Sequence, residues 1–242
     1  MKTMIHKFSR LFIAFLLIVF SAVTVCASSQ GEVLNYEKSG KSLIVNTKNG
    51  KSVITPYTDA IVKVSFVGQD EKVAEKASKS VVLTPSNVKY DVKSNDESIE
   101  IGLLNGNSVI IEKATSRVSF IARGKKVLEE NEGVTKKGKE RIISFNSRTE
   151  ESFYGCGERG VSYDLKGDTM VMFNKQNYGY GKGDRTSQMN ITVPFYISSL
   201  GYGVYFDDYT ASKLILKNPV EYVTESRTPI SYYFIASETG NI

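Results

Sequence analysis

Residues 153–174, "FYGCGERGVSYDLKGDTMVMFN", decide between two fold classes. Gly155, Gly157 and Gly160 give the G-x-G-x-x-G spacing of dinucleotide-binding folds. That spacing carries meaning only between a buried parallel strand and a helix whose N-terminus faces the pyrophosphate. Here β-branched and aromatic residues follow the glycines, and Gly167 interrupts them, which is typical of a strand and a turn. We therefore interpret the three glycines as turn glycines between strands and reject a nucleotide site.

The rest of the chain outside the N-terminus also consists of strand and turn signals. Residues 42–57, "SLIVNTKNGKSVITPY", place Asn49-Gly50 between two β-rich runs, which predicts a hairpin. Residues 60–67, "AIVKVSFV", alternate in the period of a half-buried strand. Further turns are predicted at 94–97, 105–107, Gly124 and Leu200-Gly201. Short strands at this spacing predict an all-β sandwich or barrel.

Two polar stretches interrupt this pattern. Residues 69–80 carry few apolar side chains, which favours a solvated loop or a short surface helix. Residues 129–140, "EENEGVTKKGKE", predict an exposed charged connection. This connection would follow a leading β segment at 28–128 and precede a second portion at 141–242, although both portions could share one core.

The first 27 residues are typical of a secretory signal. A basic start is followed by a short apolar run and by small residues before a cleavage point after Ala27. The run is short for a membrane span, which needs about 20 apolar residues, so export with cleavage is favoured over an anchor. A lipoprotein, with Cys26 lipidated, stays open as an alternative. The predicted location is therefore periplasmic or extracellular.

Removal of residues 1–27 takes away most of the net charge and the sole histidine. The chain has 31 Lys and Arg against 26 Asp and Glu, and the signal holds three of the basic residues and no acid. The remaining excess is too small for a general nucleic-acid binder. Because His6 is the one histidine and Cys156 the one cysteine after Cys26, histidine-based triads and His/Cys zinc sites are excluded. No cofactor and no metal site are expected.

Aromatic, amide and glycine residues become frequent after residue 150. Tyrosine rings can stack on pyranose faces, and amides can pair with sugar hydroxyls. The same residues also fill ordinary β-sandwiches. Composition alone leaves both interpretations open.

Three linked segments resemble the N-terminal domain of glycoside hydrolase family 31, the α-glucosidase and α-xylosidase family. They are "FYGCGERG" (153–160), "LKGDTMVMFNKQNYGY" (165–180) and "MNITVPFYISSLGYGVYFDDY" (189–209). The upstream residues from 51 to 85 resemble the leading β segment of bacterial members. The resemblance implies a galactose-mutarotase-like β-sandwich that packs against a catalytic (β/α)8 barrel. It also implies an oligosaccharide substrate.

The family's nucleophile lies in a Trp-x-Asp-Met-Asn-Glu type motif, and this sequence contains no tryptophan. The resemblance therefore implies a non-catalytic N-terminal portion of such an enzyme, inactive by itself and without a catalytic residue of its own. Its carboxylates support this view. Asp207 and Asp208 would face opposite sides of a strand, Glu150-Glu151 would be solvated, and Glu158 would pair with Arg159.

In the family, one loop of this domain reaches the substrate site. The matching residues here are Asn174, Gln176, Asn177 and Tyr178, and Gln176 stands where an aspartate is often found. The resemblance thus implies that these four residues bind the sugar. Two other functions are alternatives: a stand-alone carbohydrate-binding module, and an aldose epimerase, which the lack of a histidine in the mature chain disfavours.

Overall fold

Two antiparallel sheets pack face to face in the computed structural model, which describes residues 30–69, 71, 78–85, 87–174, 188–226 and 229–237. In chain order the strands are β1 (Val33–Ser39), β2 (Ser42–Thr47), β3 (Gly50–Pro56), β4 (Ile61–Gly68), β5 (Tyr90–Ser94), β6 (Ser98–Leu103), β7 (Ser108–Glu112), β8 (Val118–Ala122), β9 (Lys125–Lys137), β10 (Glu140–Phe145), β11 (Phe153–Arg159), β12 (Thr169–Met172), β13 (Gln188–Ser198), β14 (Tyr202–Phe206), β15 (Ser212–Leu216), β16 (Val220–Thr224) and β17 (Ile230–Ala236).

One sheet has the strand order β1-β2-β3-β4-β17-β14-β13-β11, and the other has the order β12-β15-β16-β10-β9-β8-β7-β6-β5. No helix occurs among the described residues. The predicted all-β sandwich is confirmed. The signal at residues 1–27 and most of the polar stretch 69–80 lie outside the described residues.

Strand β4 shows how the alternating pattern builds the sandwich. Val62, Val64 and Phe66 are buried, whereas Ile61, Lys63 and Ser65 lie on the other face. The same alternation recurs in β2, β6 and β16. Because these strands turn one row of apolar side chains inward, the two sheets share a single core.

The predicted hairpin at 42–57 is present, but its turn is shifted by one residue. Thr47 pairs with Gly50, so Lys48 and Asn49 form the turn and Gly50 begins β3. A Cβ atom on Gly50 would lie 2.3 Å from the carbonyl oxygen of Val67 on β4. Glycine is thus required here by the close approach of two backbones. The turn at Gly124 follows the prediction, since both Arg123 and Gly124 have positive φ.

The charged stretch 129–140 is not an exposed connection, and this prediction was wrong. Residues 125–137 form the long strand β9, whose first half pairs with β8 and whose second half pairs with β10. Glu130 turns inward, and Gly133 has a φ of 68° at a register shift between β9 and β10. The bulge at Gly133 and the buried Glu130 interrupt the alternation of apolar and polar residues. The strand therefore cannot be recognised from its sequence pattern. Strands from both sides of this stretch occur in each sheet.

Aromatic side chains fill the middle of the core. Phe206 and Tyr222, from opposite sheets, stack with ring centroids 4.0 Å apart. The rings of Phe145 and Tyr232 meet edge to face at 5.1 Å. Such pairs contribute about 0.5–1.5 kcal/mol beyond the burial of their area. Much of the tyrosine content noted in the sequence is therefore sandwich filling.

Candidate functional site

Strand β11, which carries the glycine motif, is an edge strand with a doubled bulge. Gly155, Cys156 and Gly157 have φ values of 108°, 64° and 86°. Their pairing with β13 shifts register twice, between Gly155 and Gly157 and between Gly157 and Arg159. Gly155 and Gly157 are therefore not turn glycines between strands, as predicted, but bulge glycines inside a strand. They allow β11 to approach the β13 backbone closely.

Arg159, at the end of β11, bridges to the neighbouring strand of the other sheet. It donates to the carbonyl oxygens of Cys156 at 3.1 Å and Val171 at 2.8 Å. The predicted ion pair with Glu158 is absent, because the guanidinium group is turned towards these backbone acceptors and Glu158 is exposed. Arg159 thus fixes the end of β12, from which the predicted sugar-binding loop departs.

Asn174 is the one predicted sugar-binding residue that the structure describes. Its Oδ1 accepts hydrogen bonds from the backbone N–H of Thr192 at 2.6 Å and from the Thr192 hydroxyl at 3.0 Å. Gln176, Asn177 and Tyr178 lie outside the described residues. Asn174 therefore ties the residues just after β12 to the middle of β13. This positioning contact leaves its Oδ1 occupied.

A cleft of about 460 Å³ opens beside this clasp, at one end of the sandwich. Residues at the ends of β12, β14 and β15 and in the middle of β13 line it. They are Ser80, Met172, Phe173, Asn174, Thr192, Val193, Pro194, Tyr205, Asp208, Tyr209, Thr210, Ala211 and Ser212. Sequence reasoning did not identify this cleft. The alternation of buried Met170 and Met172 with exposed Val171 could have shown that Phe173 faces outward.

Asp207 and Asp208 follow β14 and are held by different partners. Asp207 accepts hydrogen bonds from the hydroxyls of Ser78 at 2.8 Å and Tyr209 at 3.1 Å, and Lys63 lies 3.7 Å away. The Tyr209 hydroxyl in turn accepts the backbone N–H of Lys79 at 2.6 Å. These contacts attach residues 78–80 to the end of β14.

Asp208 turns instead towards β16 of the other sheet. Its Oδ2 accepts the hydroxyls of Tyr222 at 3.0 Å and Thr224 at 2.6 Å, and its Oδ1 accepts the N–H of Thr210 at 2.9 Å. Burial, and to a lesser extent the charge of Asp208, raises the pKa of Tyr222. The two adjacent aspartates thus act in the structure as separate anchors.

Glu151 is not solvated, so the prediction for the Glu150-Glu151 pair was wrong for this residue. Only 1% of Glu151 is exposed, and its carboxylate accepts the hydroxyls of Ser198 and Tyr202 and the N–H of Arg148. Glu150 is exposed as expected. The polar surroundings in sequence gave no sign that one of the two acids would be buried.

Glu130 is a second buried acid, at the centre of the sandwich. Its two carboxylate oxygens accept the Tyr232 hydroxyl at 2.7 Å and the N–H of Val118 at 2.9 Å. Tyr232 lies in the opposite sheet, so the contact joins the two layers. Burial raises the pKa of the Glu130 carboxyl to about 7, against a lowering by these hydrogen bonds.

Within the ranges that the structure describes, no group of three or more His, Cys, Asp or Glu side chains is arranged to hold a metal ion. The same ranges also contain no helix with the length and apolar character needed to cross a membrane.

Comparison with known proteins agrees with this geometry. Residues 51–213 match the model of the glycosyl hydrolase 31 N-terminal galactose mutarotase-like domain, which is more than half of the chain. The chain belongs to this family. The recognition made from its three sequence segments is confirmed, and so is the mutarotase-like form of the sandwich.

Among related proteins, an α-xylosidase of Saccharolobus solfataricus is 26% identical to the family 31 domain described here over 194 residues. In structure, the domain is similar to a family 31 dextranase of Flavobacterium johnsoniae bound to isomaltotriose, with a TM-score of 0.78 and 18% identity over 87% of this chain. It is also similar to a family 31 α-xylosidase from a soil metagenome bound to xylose, with a TM-score of 0.70 and 20% identity over 84% of this chain. At these identities the structural likeness shows the fold alone.

The domain spans a quarter to a third of the length of these relatives. It covers 25% of the Saccharolobus α-xylosidase, 27% of the dextranase chain and 32% of the metagenomic α-xylosidase chain. Each of these relatives thus contains a much larger polypeptide beside the sandwich.

Proposed function

We propose that this chain is the non-catalytic N-terminal domain of an exported family 31 α-glycosidase, which packs on the catalytic barrel and contributes a loop to the carbohydrate site. The observation that carries the proposal is the family match over residues 51–213 in a chain that spans only about a quarter of a full-length relative. In this proposal the reactive carboxylates come from the barrel. The acids of the sandwich described above serve its own structure.

The substrate loop of this proposal begins at Asn174, whose clasp on Thr192 fixes its root. Gln176, Asn177 and Tyr178 supply amide and phenol groups that suit sugar hydroxyls. This assignment of the sugar contacts follows the family resemblance.

The loop is tested by Gln176→Ala in a full-length protein that carries this domain. We expect kcat/KM for an α-linked oligosaccharide to fall about fivefold, since one hydrogen bond to the substrate is lost. The control is Lys139→Ala, in the exposed turn between β9 and β10. Unchanged kinetics and sugar affinity in the Gln176 variant would show that the assignment is wrong.

The outer face of the eight-stranded sheet supports the packing on a barrel. In β13, Ile191, Val193, Phe195 and Ile197 point away from the core, and Ile191 and Val193 are 56% and 38% exposed. Aromatic rings on the adjacent strands continue the row, because Phe195 lies opposite Tyr205 and Tyr205 lies opposite Tyr233. An antiparallel sheet that is apolar on both faces is normally covered by another layer.

This face predicts that the chain alone associates with itself. In light scattering, we expect the apparent mass to rise with concentration, and Val193→Lys to reduce the rise because it places a charge in the apolar row. Ile142→Lys, on the outer face of the other sheet, serves as the control and should leave the association unchanged. A monodisperse monomer at high concentration would contradict the prediction.

The same face distinguishes the two functions that the sequence left open. A carbohydrate-binding module that acts alone would be expected to carry polar side chains on both outer faces of its sandwich. The apolar row across β13, β14 and β17 instead favours a domain with a fixed neighbour.

A further inference from the structure

One corner of the eight-stranded sheet carries a pair of tyrosines that the packing of the sandwich does not explain. Tyr154 of β11 pairs with Ile197 of β13, so its side chain points to the same outer face of the sheet. Tyr163, in the loop that follows β11, packs its ring against Tyr154 with the ring centroids 4.9 Å apart. Because Tyr163 is 85% exposed, its ring contributes little to the stability of the sandwich itself.

The loop that presents Tyr163 is held firmly on β11. The carboxylate of Asp164 accepts the backbone N–H groups of Phe153 and Lys166, both at 3.0 Å. Leu165 is buried and donates its backbone N–H to the carbonyl oxygen of Phe153 at 2.8 Å. A side chain on a loop that is fixed before binding loses little conformational entropy when a partner covers it, and tyrosine is enriched among the residues that contribute most to protein interfaces.

The surface beside the tyrosine pair is apolar. From Ile191 onward, the outward side chains of β13 and β14 carry no charge. Phe195 lies over Gly203, since a Cβ atom built on this glycine would be 2.7 Å from the Phe195 ring. Charged residues are depleted at the centre of protein interfaces, so this surface suits a protein partner.

The other half of the same face is different. The outward positions of β3 and β4 include Lys51 and Lys63, and the Lys63 Nζ lies 5.2 Å from the centre of the Tyr233 ring. Tyr233 of β17 points outward but is only 3% exposed, because Tyr57 also packs against it edge to face at 5.2 Å. The uncovered apolar area therefore runs from β14 to the tyrosine pair.

The chain leaves the sandwich at the same end as the tyrosine pair. Ser237, directly after β17, donates its backbone N–H to the carbonyl oxygen of Gly201, in the turn between β13 and β14, at 3.0 Å. The neighbouring Ser199 donates its backbone N–H to the carbonyl oxygen of Ser152, just before β11, at 3.0 Å. Three strand spacings, about 14 Å, separate β17 from β11. Polypeptide that continues from Ser237 can therefore reach Tyr163 without crossing the sandwich.

We infer that the Tyr154–Tyr163 pair is the aromatic anchor of an interdomain contact, and that its partner is the catalytic barrel that follows the sandwich in the same polypeptide. The partner surface is apolar, with an acceptor for the Tyr163 hydroxyl, and it covers Tyr163 together with Phe195 and Ile197. The identity of the partner rests on the proposed function, whereas the position of the anchor rests on the contacts of the tyrosine pair.

The inference is tested by limited proteolysis of a full-length protein that carries this domain, with the rate of cleavage between sandwich and barrel as the readout. When opening is fast, this rate follows the population of the open form. Tyr163→Ser should raise it about tenfold, the equivalent of about 1.4 kcal/mol. Tyr163→Phe keeps the ring and should stay close to the parent rate. The urea midpoint of the 242-residue chain should be the same with and without Tyr163→Ser, because the loss concerns the contact and not the sandwich.

Tyr36→Ser is the matched control, since Tyr36 is 38% exposed on β1, at the opposite edge of the same sheet. It should be cleaved at the parent rate. A parent rate in Tyr163→Ser, or an equal rise in Tyr36→Ser, would overturn the inference. If Val193→Lys raises the rate while Tyr163→Ser does not, the barrel still packs on this sheet and only the anchor is wrong. If neither variant changes the rate, the packing in the proposed function is wrong as well.

Discussion

Gly157→Ala should destabilise the sandwich by at least about 3 kcal/mol, because backbone strain and a steric clash act together. Gly157 has a φ of 86°, a conformation that raises the energy of alanine by about 1–2 kcal/mol. A Cβ atom there would also lie 2.4 Å from the carbonyl oxygen of Ile191 and 2.9 Å from the Cα of Thr192. Both contacts are backbone atoms of β13, so relief requires the two strands to separate.

Gly167→Ala separates these two causes. Gly167 has a φ of 90°, but a Cβ atom there would meet nothing within 4 Å. This variant should lose only the conformational part, about 1–2 kcal/mol. Urea unfolding of both variants measures the difference. Equal losses in the two would show that β11 and β13 are not as close as described.

Glu130→Gln should remove a pH dependence of stability in the range where few other groups titrate. The folded-state pKa of Glu130, about 7, lies above the ordinary glutamate value of 4.5. Stability from this group is therefore fully present below about pH 4.5 and is lost as the pH rises through about 7. A shift of this size corresponds to about 3 kcal/mol. The neutral amide can still accept from Val118 and donate to the Tyr232 oxygen.

The measurement is the free energy of unfolding from about pH 4.5 to pH 8, for the parent chain and the variant. The stability of the parent should fall across this window, and that of Glu130→Gln should change much less. Glu129→Gln is the control, because Glu129 faces outward and its pKa is lowered, chiefly by its hydrogen bond with Lys126. A parallel pH profile in all three proteins would exclude the buried carboxyl as the cause.

The strands and most turns of this fold could be predicted because their side chains alternate locally. In β4, the inward positions Val62, Val64 and Phe66 are all apolar, and their alternation with the outward residues can be recognised from a few neighbouring residues. The hairpin at Asn49-Gly50 was predicted correctly as a hairpin and displaced by one residue. Its register depends on the approach of Gly50 to Val67, a contact with a strand that the local pattern does not contain.

The wrong predictions for residues 129–140 and for Glu151 also arise from contacts with distant strands. Glu130 and Glu151 are charged in the sequence and buried in the structure, since each finds hydroxyl and N–H donors from distant strands. The polar sequence around these two residues therefore predicts an exposed surface, whereas both side chains lie in the core. The candidate cleft was missed for a related reason, because Phe173, Thr192 and Tyr209 come together only through the pairing of β12 with β15 and of β13 with β14.

Strand β17, the last strand among the described residues, lies in the middle of its sheet, between β4 and β14. During synthesis, residues 61–68 of β4 can pair with β17 only after about 170 further residues have been added to the chain. Until β17 has emerged from the ribosome, the edges of β4 and β14 are both open and can pair with foreign strands. Early release of the nascent chain would thus leave two unprotected edges, so the eight-stranded layer can close only after residues 230–236 have been synthesised.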